Sequence, residues 1–189
     1  MMPSEPVSRD RPLPALAAQW VAHFRMERIP EEGAWFAPAY RSDESLPGNP
    51  GNRYPGRRAL YNSIHCVVTR DDFSALHRLA TDELWHIYAG SPLEMLLLHP
   101  DGRGETVLLG SDLAAGQQPQ FRVPRGVWQG ARPLGGAQAC TLLGNSMAPG
   151  FEYEDFEIGY RDVLQAQFPA FARQIAELTR ERHSRRPHS

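Results

Sequence analysis

From Tyr61 onward the apolar residues recur mostly at a spacing of two, the period of a strand with one buried face. Tyr61–Thr69 is β-branched and apolar. It sets Tyr61, Ser63, His65 and Val67 on one face and Asn62, Ile64, Cys66 and Val68 on the other, and parity alone leaves the inward face open. On Glu83–Tyr88, residues Glu83, Trp85 and Ile87 share a face while Leu84, His86 and Tyr88 share the other. Leu93–His99 and Glu105–Leu109 flank the turn sequence Pro100 to Gly104 and predict a hairpin. Ala34–Arg41, Gln118–Val123 and Ala137–Leu143 read as further strands. Helical spacing is confined to the ends. Leu13, Leu16, Ala17, Trp20 and Phe24 predict an amphipathic helix over Pro14–Met26, whose apolar stripe reads as core. Val163, Leu164, Phe171, Ile175 and Leu178 predict a C-terminal helical segment interrupted at Pro169.

Seven or eight short strands between terminal helices predict an all-β-dominated antiparallel sandwich or barrel. A chain of 189 residues holds one sizeable core, so a single domain is expected over residues 13–179. Residues 1–12 read as a disordered polar tail and the basic stretch 180–189 as a flexible one. Ser42–Arg58, rich in Pro and Gly, is long for a connection and is either mobile or folded over a site. The formal charge of -2 gives no electrostatic footprint for nucleic acid. No apolar run approaches the roughly 18 residues of a membrane span. The absence of an apolar signal core in the first residues makes a cytoplasmic location the expectation. Cys66 and Cys140, far apart in apolar runs, read as buried reduced thiols.

The candidate chemistry concentrates in Ser74–Gly90, where His77 lies six residues before Glu83 and Glu83 seven before Gly90. If the chain is extended at His77, that imidazole and Leu79 share a face while Arg78 points the other way. An imidazole and a carboxylate then converge on an apolar surface, the raw material of a binding site. A carboxylate buried there must be hydrogen-bonded, paired, or carry a raised pKa. Glu83 either braces the core through His77 or Gln129, or orients His77 as a general base. Trp85 and Trp128 offer flat surfaces for a ring and serve equally as core. Gln120 and Gln129 are neutral amides suited to orienting a polar ligand or saturating buried groups. Ser63 shares its face with Tyr61 and His65, and Tyr61 or Tyr88 is a candidate proton donor opposite a His base. His23, His99, His183 and His188 carry no assigned role. No Ser-His-Asp order, phosphate loop or cysteine-nucleophile signature is present.

The pattern His77-x-Leu79-x-x-x-Glu83, closed by Gly90, resembles the first motif of the cupin superfamily, and Pro124–Gln129 resembles the second. More narrowly, Pro30–Phe36 with Tyr40–Ser42, Ser74–Leu79 with Asp82–Gly90, Pro119–Gln129 and Met147–Phe156 resemble the cupin-5 family, also known as DUF985. The resemblance implies a jelly-roll β-barrel with a pocket inside it, usually paired into a homodimer. The strand around Trp35–Tyr40 is the one expected to cross to the partner. The family's biochemical role is not established, and its likeness to sugar-nucleotide epimerases is one of architecture. The general cupin pattern gives three His and one Glu to a metal. Here His77 and Glu83 fit two of those positions, while Leu79 and Gln129 occupy two that His would fill. His65 or His86 would have to be recruited to complete a metal site, so no metal or other cofactor is expected. The resulting expectation is a metal-free small-molecule-binding cupin, with a pocket built from Ser63, His77, Glu83, Trp85, Gln120, Trp128 and Gln129. Its ligand would be sugar-like or a small carboxylated metabolite. The alternative is an epimerase or isomerase in which His77 removes a proton, Glu83 orients it and a Tyr reprotonates.

Overall fold

In a computed structural model, which describes residues 12–49 and 53–187, two antiparallel sheets face each other across a shared core. The chain enters through α1 (Ala15–Phe24), β1 (Glu27–Arg28) and β2 (Trp35–Arg41). A short hairpin of β3 (Ser45–Leu46) and β4 (Arg58–Ala59) leads to β5 (Asn62–Thr69), β6 (Ser74–Leu79), β7 (Glu83–Gly90) and β8 (Leu93–Leu98). There follow β9 (Gly104–Leu109), β10 (Gln120–Val123), β11 (Trp128–Pro133), β12 (Cys140–Met147) and β13 (Phe156–Ile158). The helices α2 (Arg161–Gln167) and α3 (Ala172–Glu177) come last. One sheet has the order β1-β2-β5-β12-β7-β10 and the other β13-β6-β11-β8-β9. The two sheets stay separate and do not close into a barrel.

Strand alternation sorts the apolar residues into three layers. On β8, Leu93, Met95 and Leu97 enter the core between the sheets, while Leu96 and Leu98 face out against the C-terminal helices. Cys66 and Val68 of β5 point inward and Val67 outward, which fixes the parity that the sequence left open. The outer layer on β5 is α1, whose Trp20, Val21 and Phe24 pack against Ala37, Val67 and Cys140. Both thiols are buried and unpaired. No helix among the described residues is long and apolar enough to cross a membrane.

Three differences from expectation bear on the site. The strand expected over Ala137–Leu143 begins at Cys140 and runs to Met147, adding Asn145 to its inward face. The chain is extended at His77, and β11 and β13 flank that strand. The stretch from Arg180, expected to be a flexible tail, is anchored. Arg180 donates to the Glu32 and Phe73 carbonyls at 2.7 and 2.9 Å and lies over the Phe73 ring. His183 is buried and meets Glu31 Oε2 at 2.7 Å. These contacts pin the turn Pro30–Gly33, where Gly33 has φ of 97° and any Cβ would collide with the Arg180 guanidinium. Residues 50–52 of the expected Ser42–Arg58 loop lie outside the described residues, as do residues 1–11 of the N-terminal tail and His188.

Candidate functional site

A cavity of about 100 Å³ lies between the sheets at the end where β6, β7 and β12 meet. Its polar lining comes from five places. His77 is on β6, Glu83 on β7, Asn145 on β12, Asn62 on β5, and Glu32 on the Arg180-pinned turn. Ile29, Phe36, Ile64, Leu79 and Met147 form apolar walls, and Phe151, Tyr153 and Phe156 complete the enclosure. Tyr153 is 63% exposed and marks the solvent side.

His77 is buried, its ring stacked on Phe156 with centroids 5.4 Å apart. Its Nδ1 lies 2.8 Å from the Ala75 carbonyl oxygen, which can only accept, so Nδ1 carries a proton and donates it there. Nε2 makes no hydrogen bond to the described residues. Glu83 sits across from it, held from behind. Its Oε2 accepts from Gln129 Nε2 at 2.7 Å and Trp85 Nε1 at 3.1 Å, and Trp85 Nε1 also reaches Gln129 Oε1 at 2.8 Å. This triangle ties the two sheets together, because Gln129 is on β11 and the other two residues are on β7. Burial pushes the Glu83 carboxyl up to about 7; His77 opposes the rise, Glu32 adds to it, and the two donors oppose it. Glu83 therefore populates both protonation states near neutrality. Glu32 accepts from Ser74 Oγ at 2.6 Å. Asn145 Nδ2 is buried with no partner. Asn62 Oδ1 accepts from the Phe151 amide at 2.8 Å, fixing one wall.

The expected site residues divide into three groups. His77 and Glu83 line the cavity. Trp85 and Gln129 stand directly behind Glu83 and hold it. Ser63, Gln120 and Trp128 are corrections, since none lines the cavity. Trp128 must face opposite to its neighbour Gln129, and it packs outward among Leu76, Leu98 and Phe168 beneath Arg78. Gln120 is exposed, its amide 3.1 Å from His86 Nδ1, and Ser63 is on the outward parity of β5. Tyr61 and Tyr88 belong to the same outer face, with Tyr88 tilted against His65. A further correction concerns orientation. The Ala75 carbonyl, not Glu83, orients His77. Glu32, Asn62 and Asn145 went unnoticed, although Asn145 shares the parity of Leu143 and Met147 and stands out as a polar residue on an apolar face.

The donor set does not suit a transition metal. Leu79 offers no lone pair, and Gln129 turns its NH2 toward Glu83 while its oxygen is taken by Trp85. Among the described residues no three His, Cys, Asp or Glu are grouped to hold an ion.

Two facing antiparallel sheets with a cavity between them, lined by His77 and Glu83, fit a cupin architecture. Residues 18–159 match the cupin superfamily family DUF985, and the chain belongs to it. It is similar to protein SO0799 from Shewanella oneidensis, whose crystal structure it matches at 32% identity and a TM-score of 0.77, covering 87% of this chain and 97% of that one. It is also similar to a hypothetical protein from Leishmania major, at 30% identity and a TM-score of 0.76, covering 87% of this chain and 99% of that one. No protein of curated function matches it.

Proposed function

We propose that the chain binds a small, polar, ring-bearing molecule between its sheets, without a metal. The observation that carries this reading is unspent hydrogen-bonding capacity in the cavity lining: Asn145 Nδ2 is buried with no partner, and His77 Nε2 makes no hydrogen bond to the described residues. A buried polar atom left unmade costs about 1–3 kcal/mol, so a cavity whose lining keeps one beside a free imidazole nitrogen is suited to a ligand. Phe36, Phe151, Phe156 and Tyr153 supply the flat faces once expected of Trp85 and Trp128. A thermal-shift screen of ring-bearing metabolites tests the reading, run on wild type and on the variant His77→Ala. A specific ligand at 100 times its Kd stabilises wild type by about 2.7 kcal/mol. The expected result is a hit that this variant loses. Hits that stabilise both proteins equally would place binding elsewhere.

A second reading is favoured by the tautomer of His77. Anchored through Nδ1, it presents Nε2 as a base, and Glu83, poised about neutrality, is the acid opposite. Proton transfer next to a carbonyl, as in isomerisation, is the chemistry such a pair performs. Entry of solvent deuterium into a bound ligand, lost in His77→Ala, separates turnover from binding. We also infer a homodimer joined along β2. Pairing with β1 covers only Trp35 and Phe36 of that strand, and Tyr40 is 56% exposed. Light scattering at the monomer mass would refute the dimer.

A further inference from the structure

We infer that the cavity selects a small ring-bearing amine, held as an organic cation, and turns away carboxylates and phosphates. The inference deepens the binding reading above and rests on it. Among the described residues, two carboxylates line the cavity, Glu32 and Glu83, and neither Arg nor Lys does. The charged groups that act on Glu83 are His77 and Glu32. With His77 Nδ1 engaged by Ala75, the groups offered to a ligand are His77 Nε2 and two carboxylate acceptors, the Glu83 oxygen not engaged by Trp85 and Gln129 and the Glu32 oxygen not engaged by Ser74. Asn145 Nδ2, buried and unpartnered, is the donor.

An anion entering this space would lose its water beside Glu32 and Glu83 with His77 the one group in the lining able to offset its charge, which is costly. An ammonium group brings three donors and a compensating charge, and the rings of Phe36, Phe156 and Tyr153 give its stem apolar or cation–π contact. The Asn145 amide asks for an acceptor on the same molecule, a hydroxyl or carbonyl close to the amine. The volume of about 100 Å³ is that of about three waters, enough for the ammonium group and its stem, so the ring sits toward the open side beside Tyr153 and a nucleotide does not fit. These features favour an amine over the small carboxylated metabolite expected from the sequence. Because an ammonium beside Glu83 favours its ionised form, binding near pH 7 also releases a proton.

The test is calorimetry of the full chain, freed of metal by chelation, with three near-isosteric probes: benzylamine, benzyl alcohol and benzoate. The expected result is benzylamine binding at least about tenfold more tightly than benzyl alcohol, with no heat from benzoate. Its binding heat should vary with the ionisation heat of the buffer, reporting the released proton. Glu32→Gln and Glu83→Gln, measured separately so that one folded variant suffices, should each erode the preference for benzylamine. Benzoate or benzyl alcohol binding as tightly as benzylamine would overturn the inference and leave the cavity as a binding site. Zinc chloride binding at one equivalent and displacing benzylamine would overturn it in favour of a metal ion. If no probe binds and the metabolite screen is also silent, the binding reading falls with it.

Discussion

The space between the sheets has two ends, built on the same alternation and opposite in chemistry. At one end Leu93, Met95, Val68 and Leu143 pack with no unmet polar atom. At the other, the same inward parity carries His77, Glu83, Asn145 and Asn62. The change occurs within single strands. On β12, Leu143 is aliphatic core and Asn145, two residues on, is an unpartnered amide in the cavity. On β11, Ala131 belongs to the dry end and Gln129 braces Glu83. Burial follows the period of the strand, but chemistry follows which residue occupies the buried position. A fold tolerates the costlier choice where a site requires it.

Breaking the dry end should have the largest effect. Leu93, fully buried, loses transfer energy and leaves a cavity when changed to Ala, so Leu93→Ala should cost about 3.5 kcal/mol in chemical denaturation. Ligand binding and the titration of Glu83 should not change; a shift in either would show that the two ends are coupled.

The next effect is on pH dependence. The folded carboxyl of Glu83, at about 7, lies above its ordinary 4.5, so the folded chain holds this proton more tightly than the unfolded one. Its contribution to stability is full below about pH 4.5 and is lost as pH rises through about 7. A rise of about 2.5 units corresponds to about 3 kcal/mol between acid and mildly alkaline pH. Glu83→Gln should remove that decline, narrowing the difference in stability between about pH 5 and about pH 8. An unchanged difference would mean that Glu83 is not the group responsible.

Smaller again is the brace. Gln129→Ala removes one donor from Glu83 and the acceptor of Trp85, at about 1–3 kcal/mol. Because the Gln129 bond holds the carboxyl down, its loss should raise the Glu83 midpoint further. A midpoint that stays or falls would argue against the triangle.

Much of the frame is legible in the sequence, because apolar runs bounded by turn residues, such as Leu93 to Leu98 before the Pro100–Gly104 turn, mark the strands, although that run is apolar on both faces and leaves its inward one open. The strands β11 and β13 are less so. Gly130 and Pro133 blur the pattern of the first, and the second is three residues long. Asn145 falls past the end of the strand expected over Ala137–Leu143, and pairing with β5 and β7 on both sides carries that strand on to Met147. The backbone of Glu32 is anchored by Arg180, 148 residues away, and its carboxylate by Ser74, contacts that no local spacing encodes. Grouping Trp128 with Gln129 took nearness in sequence for nearness in space, although adjacent strand residues face apart. The hold of Ala75 on His77 depends on backbone geometry, which residue types alone do not specify.

The chemistry of the cavity depends on Glu83 being a buried carboxyl that titrates close to pH 7 beside His77. Its carboxyl carbon shift, followed by NMR from about pH 4 to about pH 9 and assigned by its loss in Glu83→Gln, reads that state directly. The predicted midpoint is about 7. A midpoint at the ordinary 4.5 would contradict the account, leaving Glu83 a solvated charge and the cavity without its acid.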